Sequence, residues 1–125
     1  MILADTSVWI DYIRRPNLEF AQALREEFIL THPFVIGELA LGGVTSKTRI
    51  AREVKRLFSA PVATADEVLM LIEGLPLVGS GIGYVDAHLV ASARLKPGTR
   101  LWTLDRKLHQ VAEALDIAVR SKNPL

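Results

Sequence analysis

The chain contains no cysteine, which excludes thiolate zinc sites, iron–sulfur clusters and cysteine nucleophiles. Its three histidines, His32, His88 and His109, lie too far apart in sequence to form a local metal-binding pair. No apolar run approaches the roughly 18 residues of a membrane span, and Met1-Ile2-Leu3-Ala4-Asp5 lacks the basic region and apolar segment of a secretion signal. A soluble, cytoplasmic protein without membrane association is therefore expected. Net charge is also nearly absent. Fifteen Lys and Arg against 14 Asp and Glu give +1, so no global field draws the chain to nucleic acid.

What the chain has is apolar material. Half of its 125 residues are hydrophobic and 23% are charged, which suits a single domain over residues 1–125 whose core needs no disulfide or structural zinc. Charge is segregated along the sequence. Lys47, Arg49, Arg52, Lys55 and Arg56 stand against Glu53 alone, whereas residues 66–86 carry Asp66, Glu67, Glu73 and Asp86 with no Lys or Arg.

Short apolar runs alternate with segments of helical period. Strands are expected at residues 2–4, 28–31, 100–104 and 117–119. Helices are expected at 6–13, at 18–27 with Phe20, Ala23 and Leu24 inward, and from Pro33 through Leu41 until Gly42-Gly43 stops the last of these. A helix at 46–58 would bury Ile50, Val54, Leu57 and Phe58 and leave its basic side chains outside. Further helices are read at 64–74, 84–95 and 106–115. Gly79-Ser80-Gly81-Ile82-Gly83 lacks the spacing of a dinucleotide fingerprint and reads as a plain connection. This alternation predicts an α/β domain with a mostly parallel central sheet flanked by helices on both faces.

Four acids stand out. Asp5 and Asp105 each follow a strand directly, where open α/β sheets bind ligands, although an Asp before a helix is also a good N-cap. Asp86 falls in the first turn of its helix, where the macrodipole favours an acid. Glu38 sits within Phe34-Val35-Ile36-Gly37-Glu38-Leu39-Ala40-Leu41 with no Lys or Arg within five residues on either side. A salt bridge, an exposed position or a bound cation would each account for its charge. If the four acids converge they need a cation, and hard oxygen donors of this kind favour Mg²⁺ or Mn²⁺. Glu38, with neither a cap nor a counter-charge nearby in sequence, is then the acid expected to depend on the ion most.

The segments Leu3-Ala4-Asp5-Thr6-Ser7-Val8-Trp9-Ile10-Asp11-Tyr12, Val35-Ile36-Gly37-Glu38-Leu39, Asp86-Ala87-His88-Leu89-Val90-Ala91-Ser92-Ala93 and Thr103-Leu104-Asp105-Arg106-Lys107-Leu108 run through nearly the whole chain. In order and spacing they resemble the PIN-domain ribonucleases, VapC-type toxins of toxin-antitoxin pairs in particular. The resemblance implies a Mg²⁺- or Mn²⁺-dependent endoribonuclease. Its catalytic and metal-holding residues would be Asp5, Glu38, Asp86 and Asp105, supported by the Thr6 and Thr103 hydroxyls. It also implies an RNA substrate, a homodimer and a small DNA-binding antitoxin whose tail covers the cleft. Two positions depart from the pattern: Asp116 stands where these proteins often turn at glycine, and His88 where an apolar residue is commoner.

Arg14, Arg15, Arg49, Arg52 and Arg56 are candidates for holding RNA phosphates, although a basic outer helix face can also be merely solvated. Trp9, Tyr12, Tyr84 and Trp102 could stack on bases; a shared helical stripe for Trp9 and Ile13, and a strand position for Trp102, favour core packing instead. The alternative function is a non-catalytic RNA- or protein-binding module of the same fold, whose acids only cap helices.

Overall fold

Three short apolar runs build the sheet that carries the rest of the chain. In the computed structural model, which describes residues 1–45 and 47–120, β1 (Ile2–Ala4) lies between β2 (Ile29–Leu30) and β3 (Arg100–Trp102). All pairings are parallel, with Leu3 opposite both Leu30 and Leu101. Successive strand residues point to opposite faces. Leu3 and Ala4 are both fully buried, as are Ile29 and Leu30, so helices must cover both faces as expected.

The described residues form seven helices: α1 (Thr6–Arg14), α2 (Leu18–Arg25), α3 (Pro33–Leu41), α4 (Arg49–Arg56), α5 (Ala65–Gly74), α6 (Tyr84–Leu95) and α7 (Arg106–Ala114). Local chemistry sets many of their ends. Asp5, Asn17, Thr48, Thr64 and Asp105 cap α1, α2, α4, α5 and α7 through their side chains, and Thr64 and Glu67 complete a reciprocal capping box. Pro33 opens α3 at its first position.

Several boundaries differ from the sequence reading. Phe28 leaves the expected second strand because its amide closes the end of α2 on the Ala23 carbonyl. The third strand stops at Trp102, and beyond it the amides of Leu104 and Asp105 bond to the Ser7 and Thr103 hydroxyls instead of a neighbouring strand. The expected strand at 117–119 shrinks to one bridge, Leu101 to Ala118. The helix expected from Ser46 starts at Arg49 behind its Thr48 cap, and Ser46 itself lies outside the described residues. Phe58 does not join the buried stripe of α4. The helix ends at Arg56, the chain turns extended to pair Ser59 with Thr31, and Phe58 points outward at 68% exposure. Ile13 is likewise exposed, whereas Trp9 is fully buried edge-on to Phe20.

The main core surrounds the sheet, and a smaller one of Ala63, Val68, Ala87 and Ala91 joins α5 to α6. Asp116 adopts φ 57°, the left-handed turn anticipated where glycine is common, and Gly79 and Gly81 bend the loop into α6 at φ 79° and 85°. No described helix is long and apolar enough to cross a membrane.

Candidate active site

Asp5 leaves β1 and Asp105 follows β3, the neighbouring strand, so parallel pairing brings their positions together at the carboxyl end of the sheet. Asp5 is almost completely buried. Its Oδ1 accepts the Val8 amide at 3.1 Å and the Ser7 hydroxyl at 2.5 Å, while its Oδ2 accepts the Thr103 hydroxyl. Thr103 Oγ1 in turn accepts the Asp105 amide at 2.9 Å, and Asp105 Oδ1 accepts the Leu108 amide at 3.0 Å. One hydroxyl thus straps the two strand-end acids to each other. Ser7 adds a second strap by accepting the Leu104 amide at 2.9 Å.

Glu38 arrives from α3. It is exposed, and the Thr6 hydroxyl from the first turn of α1 donates to its Oε1 at 2.7 Å. Asp86 stands half-buried in the first turn of α6, behind Gly83.

Electrostatics group the four acids. Burial raises the Asp86 carboxyl above its ordinary value, and the charges of Asp5, Asp105 and Glu38 raise it further against a backbone hydrogen bond from Gly83. Burial also raises Asp5, outweighing the hydrogen bonds from Ser7, Thr103 and Val8. Among the described residues, none of the four acids enters an ion pair. The arrangement therefore concentrates negative charge without a protein cation to offset it.

All the donors are hard carboxylate oxygens, which suits a divalent ion such as Mg²⁺ or Mn²⁺. The site is not a finished cage: among the described residues no three acidic or histidine side chains surround one point as they stand. Hydroxyl donors from Thr6, Ser7 and Thr103 occupy Glu38 and Asp5 instead. Burial falls on Asp5 and Asp86, whereas α3 turns Glu38 to solvent, the exposed position being one of the accounts its sequence allowed. Capping does not remove Asp5 and Asp105 from the group, since both cap their helices and their charges still act on Asp86. Ser7 was missed in the sequence, although Asp-x-Ser at a helix start was a visible signal.

The basic candidates lie elsewhere. Arg49 and Arg56 line a cleft of about 490 Å³ with Tyr12, Leu24, Leu57 and Phe58, and none of the four acids borders it. Arg49 pairs with Glu53 at 3.2 Å and Arg15 with Asp11 at 2.8 Å, while Arg14 and Arg52 are exposed. Of the aromatic residues, Trp9 is buried, Tyr12 and Trp102 are partly buried, and Tyr84 is 56% exposed beside His88.

The PIN domain family profile matches residues 2–114. Proteins named Ribonuclease VapC32, from two strains of Mycobacterium tuberculosis, are 40% identical over 119 residues, covering 95% of this chain and 96% of theirs. The crystal structure of PAE2754 from Pyrobaculum aerophilum superposes with a TM-score of 0.59 at 18% identity, over 94% of this chain and 88% of that one, and supports the fold.

Proposed function

This chain belongs to the PIN-domain family and, within it, to the VapC-type ribonucleases, and we propose that it acts as an endoribonuclease toxin through Asp5, Glu38, Asp86 and Asp105. The observation that carries this reading is Asp86: a half-buried carboxyl whose proton affinity is raised by burial and then by the three other acids, with no ion-pair partner among the described residues. Such a cluster lowers stability unless it serves a positively charged ligand.

The four acids would hold Mg²⁺ or Mn²⁺. When bound, a hard divalent ion offsets charge on a phosphodiester and makes a water molecule more acidic. The chain's own residues supply the rest. Thr103 holds Asp5 and the Asp105 backbone in one frame, and Thr6 holds Glu38 toward α1. Asp86 carries a single hydrogen bond, from the Gly83 backbone, and no hydroxyl strap. Water attacks phosphorus in line, the bond to the leaving oxygen breaks, and that oxygen takes up a proton. No histidine or cysteine nucleophile takes part.

The whole chain, residues 1–125, is read as one PIN domain working in the cytoplasm as a homodimer. A small DNA-binding antitoxin would silence it. Arg14, Arg15, Arg49, Arg52 and Arg56 would hold flanking RNA phosphates. One observation favours the alternative, a non-catalytic binding module: Asp5 and Asp105 do cap helices. Glu38 caps none, and capping leaves the charge around Asp86 unexplained. The test is cleavage of RNA by wild-type protein and Asp86→Asn in Mg²⁺ or Mn²⁺. Loss of cleavage in the variant is expected, and undiminished cleavage by nuclease-free preparations would refute the assignment.

A further inference from the structure

His32 ends the turn after β2 and caps α3 with its own ring, Nδ1 accepting the Phe34 amide at 3.1 Å. An accepting Nδ1 leaves the proton on Nε2, and Nε2 lies 3.0 Å from the Ser92 hydroxyl of α6. Both residues are fully buried and 60 positions apart in sequence. The bond therefore joins two helices rather than stabilising a local turn.

Those two helices carry Glu38 and Asp86. Glu38 lies six residues after His32 and Asp86 six residues before Ser92, so each acid stands about 9 Å along its helix from the bond. The pairs His32–Ser92 and Phe34–His88 run in opposite senses along the two helices, so α3 and α6 are antiparallel here and both acids lie on the same side of the bond. Phe34 packs on His88 with ring centroids 4.6 Å apart, an intermediate contact between the same helices. His32–Ser92 and Phe34–His88 thus follow one another along α3 and back along α6, toward the turns that carry Glu38 and Asp86, and the charge of Glu38 is felt at Asp86. Apolar packing tolerates sliding, whereas a buried hydrogen bond fixes one register because any other leaves its groups unpaired. Burial, reinforced by His88, lowers the ring to about 4, so the neutral form needed for this bond prevails at neutral pH.

We infer that His32 and Ser92 are positioning residues of the acidic site, their buried hydrogen bond setting the register that places Glu38 relative to Asp86. The inference rests on the proposed metal-binding role of these acids and extends it to two residues that touch neither metal nor RNA.

The test measures Mn²⁺ alone by calorimetry, with thermal stability and RNA kinetics measured alongside. Ser92→Ala removes the acceptor and keeps the α3 cap. His32→Asn keeps a capping oxygen but is too short to reach Ser92. Val90→Ala creates a cavity in fully buried α6 packing without touching the bond. Both variants of the bond should weaken Mn²⁺ binding about tenfold and lower kcat more than they change KM. Val90→Ala should lower Tm comparably yet bind Mn²⁺ within about twofold of wild type. Wild-type affinity in both bond variants would overturn the inference, as would an equal loss in Val90→Ala at matched Tm. If Asp86→Asn weakens Mn²⁺ binding while the bond variants do not, only the positioning role fails. Wild-type protein that binds no Mn²⁺ would overturn the metal role and the positioning role together.

Discussion

The acidic site and the basic helix α4 hold their charges by different means. Asp5 is buried and accepts three hydrogen bonds, one from a residue 98 positions away, and its neighbours are tied through Thr103, Ser7 and Thr6. Arg49, Arg52 and Arg56 lie on the outer face of one short helix, and the ion pair from Arg49 to Glu53 is local and solvated. Buried charge must be arranged by the fold, whereas surface charge can be placed by sequence alone. Geometry therefore argues for chemistry at the acids. At α4 it argues for no more than adhesion.

The sharpest way to break this comparison is Asp86→Asn. If Asp86 holds the metal as proposed, its removal should lower RNA cleavage by more than about a hundredfold. Stability of the metal-free protein should move the other way. Asp86 is raised in the fold, so its stabilising protonated form is complete below the unfolded value of 3.8 and is lost as pH rises through the raised one. At neutral pH the ionised group opposes folding, and the amide relieves it. Denaturation of both proteins with and without Mn²⁺ checks the sign, and a less stable metal-free Asp86→Asn would contradict it.

Thr103→Val should have the next effect. It leaves Asp5 Oδ2 and the Asp105 amide without their shared partner, at about 1–3 kcal/mol of stability and roughly tenfold in cleavage. Urea unfolding and kinetics on the same preparation measure both. A variant that loses neither would show that the strap positions nothing.

These two variants fall on the line between what the sequence disclosed and what it did not. Asp5 and Asp105 were readable because a strand end and a helix start are local patterns, and α6 forms over the same residues, 84–95, that its periodicity marked. The Thr6–Glu38 bond spans 32 positions and His32–Ser92 spans 60, and no periodicity encodes such pairings. The same holds at Phe58. Its helical spacing was sound locally, but the pairing of Ser59 with Thr31 turns the chain extended before that spacing can apply. Residues 103–104 left the expected strand, and side-chain hydroxyls at the site take the amides of Leu104 and Asp105 instead of a neighbouring strand.

A pH titration sharpens the comparison from the buried side. His32 falls from 6.5 in the unfolded chain to about 4 in the fold, so the unfolded state binds the extra proton between these values. The stabilisation is complete above 6.5 and declines as pH drops toward 4, by roughly 3 kcal/mol in all. Asp5 and Asp86 act with the opposite sign, becoming less unfavourable as they protonate. The difference in stability between wild type and His32→Asn isolates the histidine. It should shrink across that window, and a constant difference would mean that His32 is not held neutral by its surroundings.

The smallest effect is expected at the basic helix α4. If Arg49, Arg52 and Arg56 each hold a phosphate of single-stranded RNA, replacing all three with Gln should flatten the salt dependence of binding by about 2 in log-log slope, at roughly 0.7 per contact. Stability should change by no more than about 0.5 kcal/mol, because exposed charges and the single Arg49–Glu53 pair contribute little to folding. Cleavage at saturating RNA should persist, since Arg49 and Arg56 line a cleft that none of the four acids borders, and Arg52 is exposed on the same helix. Fluorescence anisotropy with a labelled RNA over a range of salt concentrations separates the two readings. A flattened slope with intact turnover would make the basic helix a substrate rail that stands apart from the chemistry. An unchanged slope would make it a solvated face, and the acids would then have to recruit RNA through contacts made at the sheet end itself.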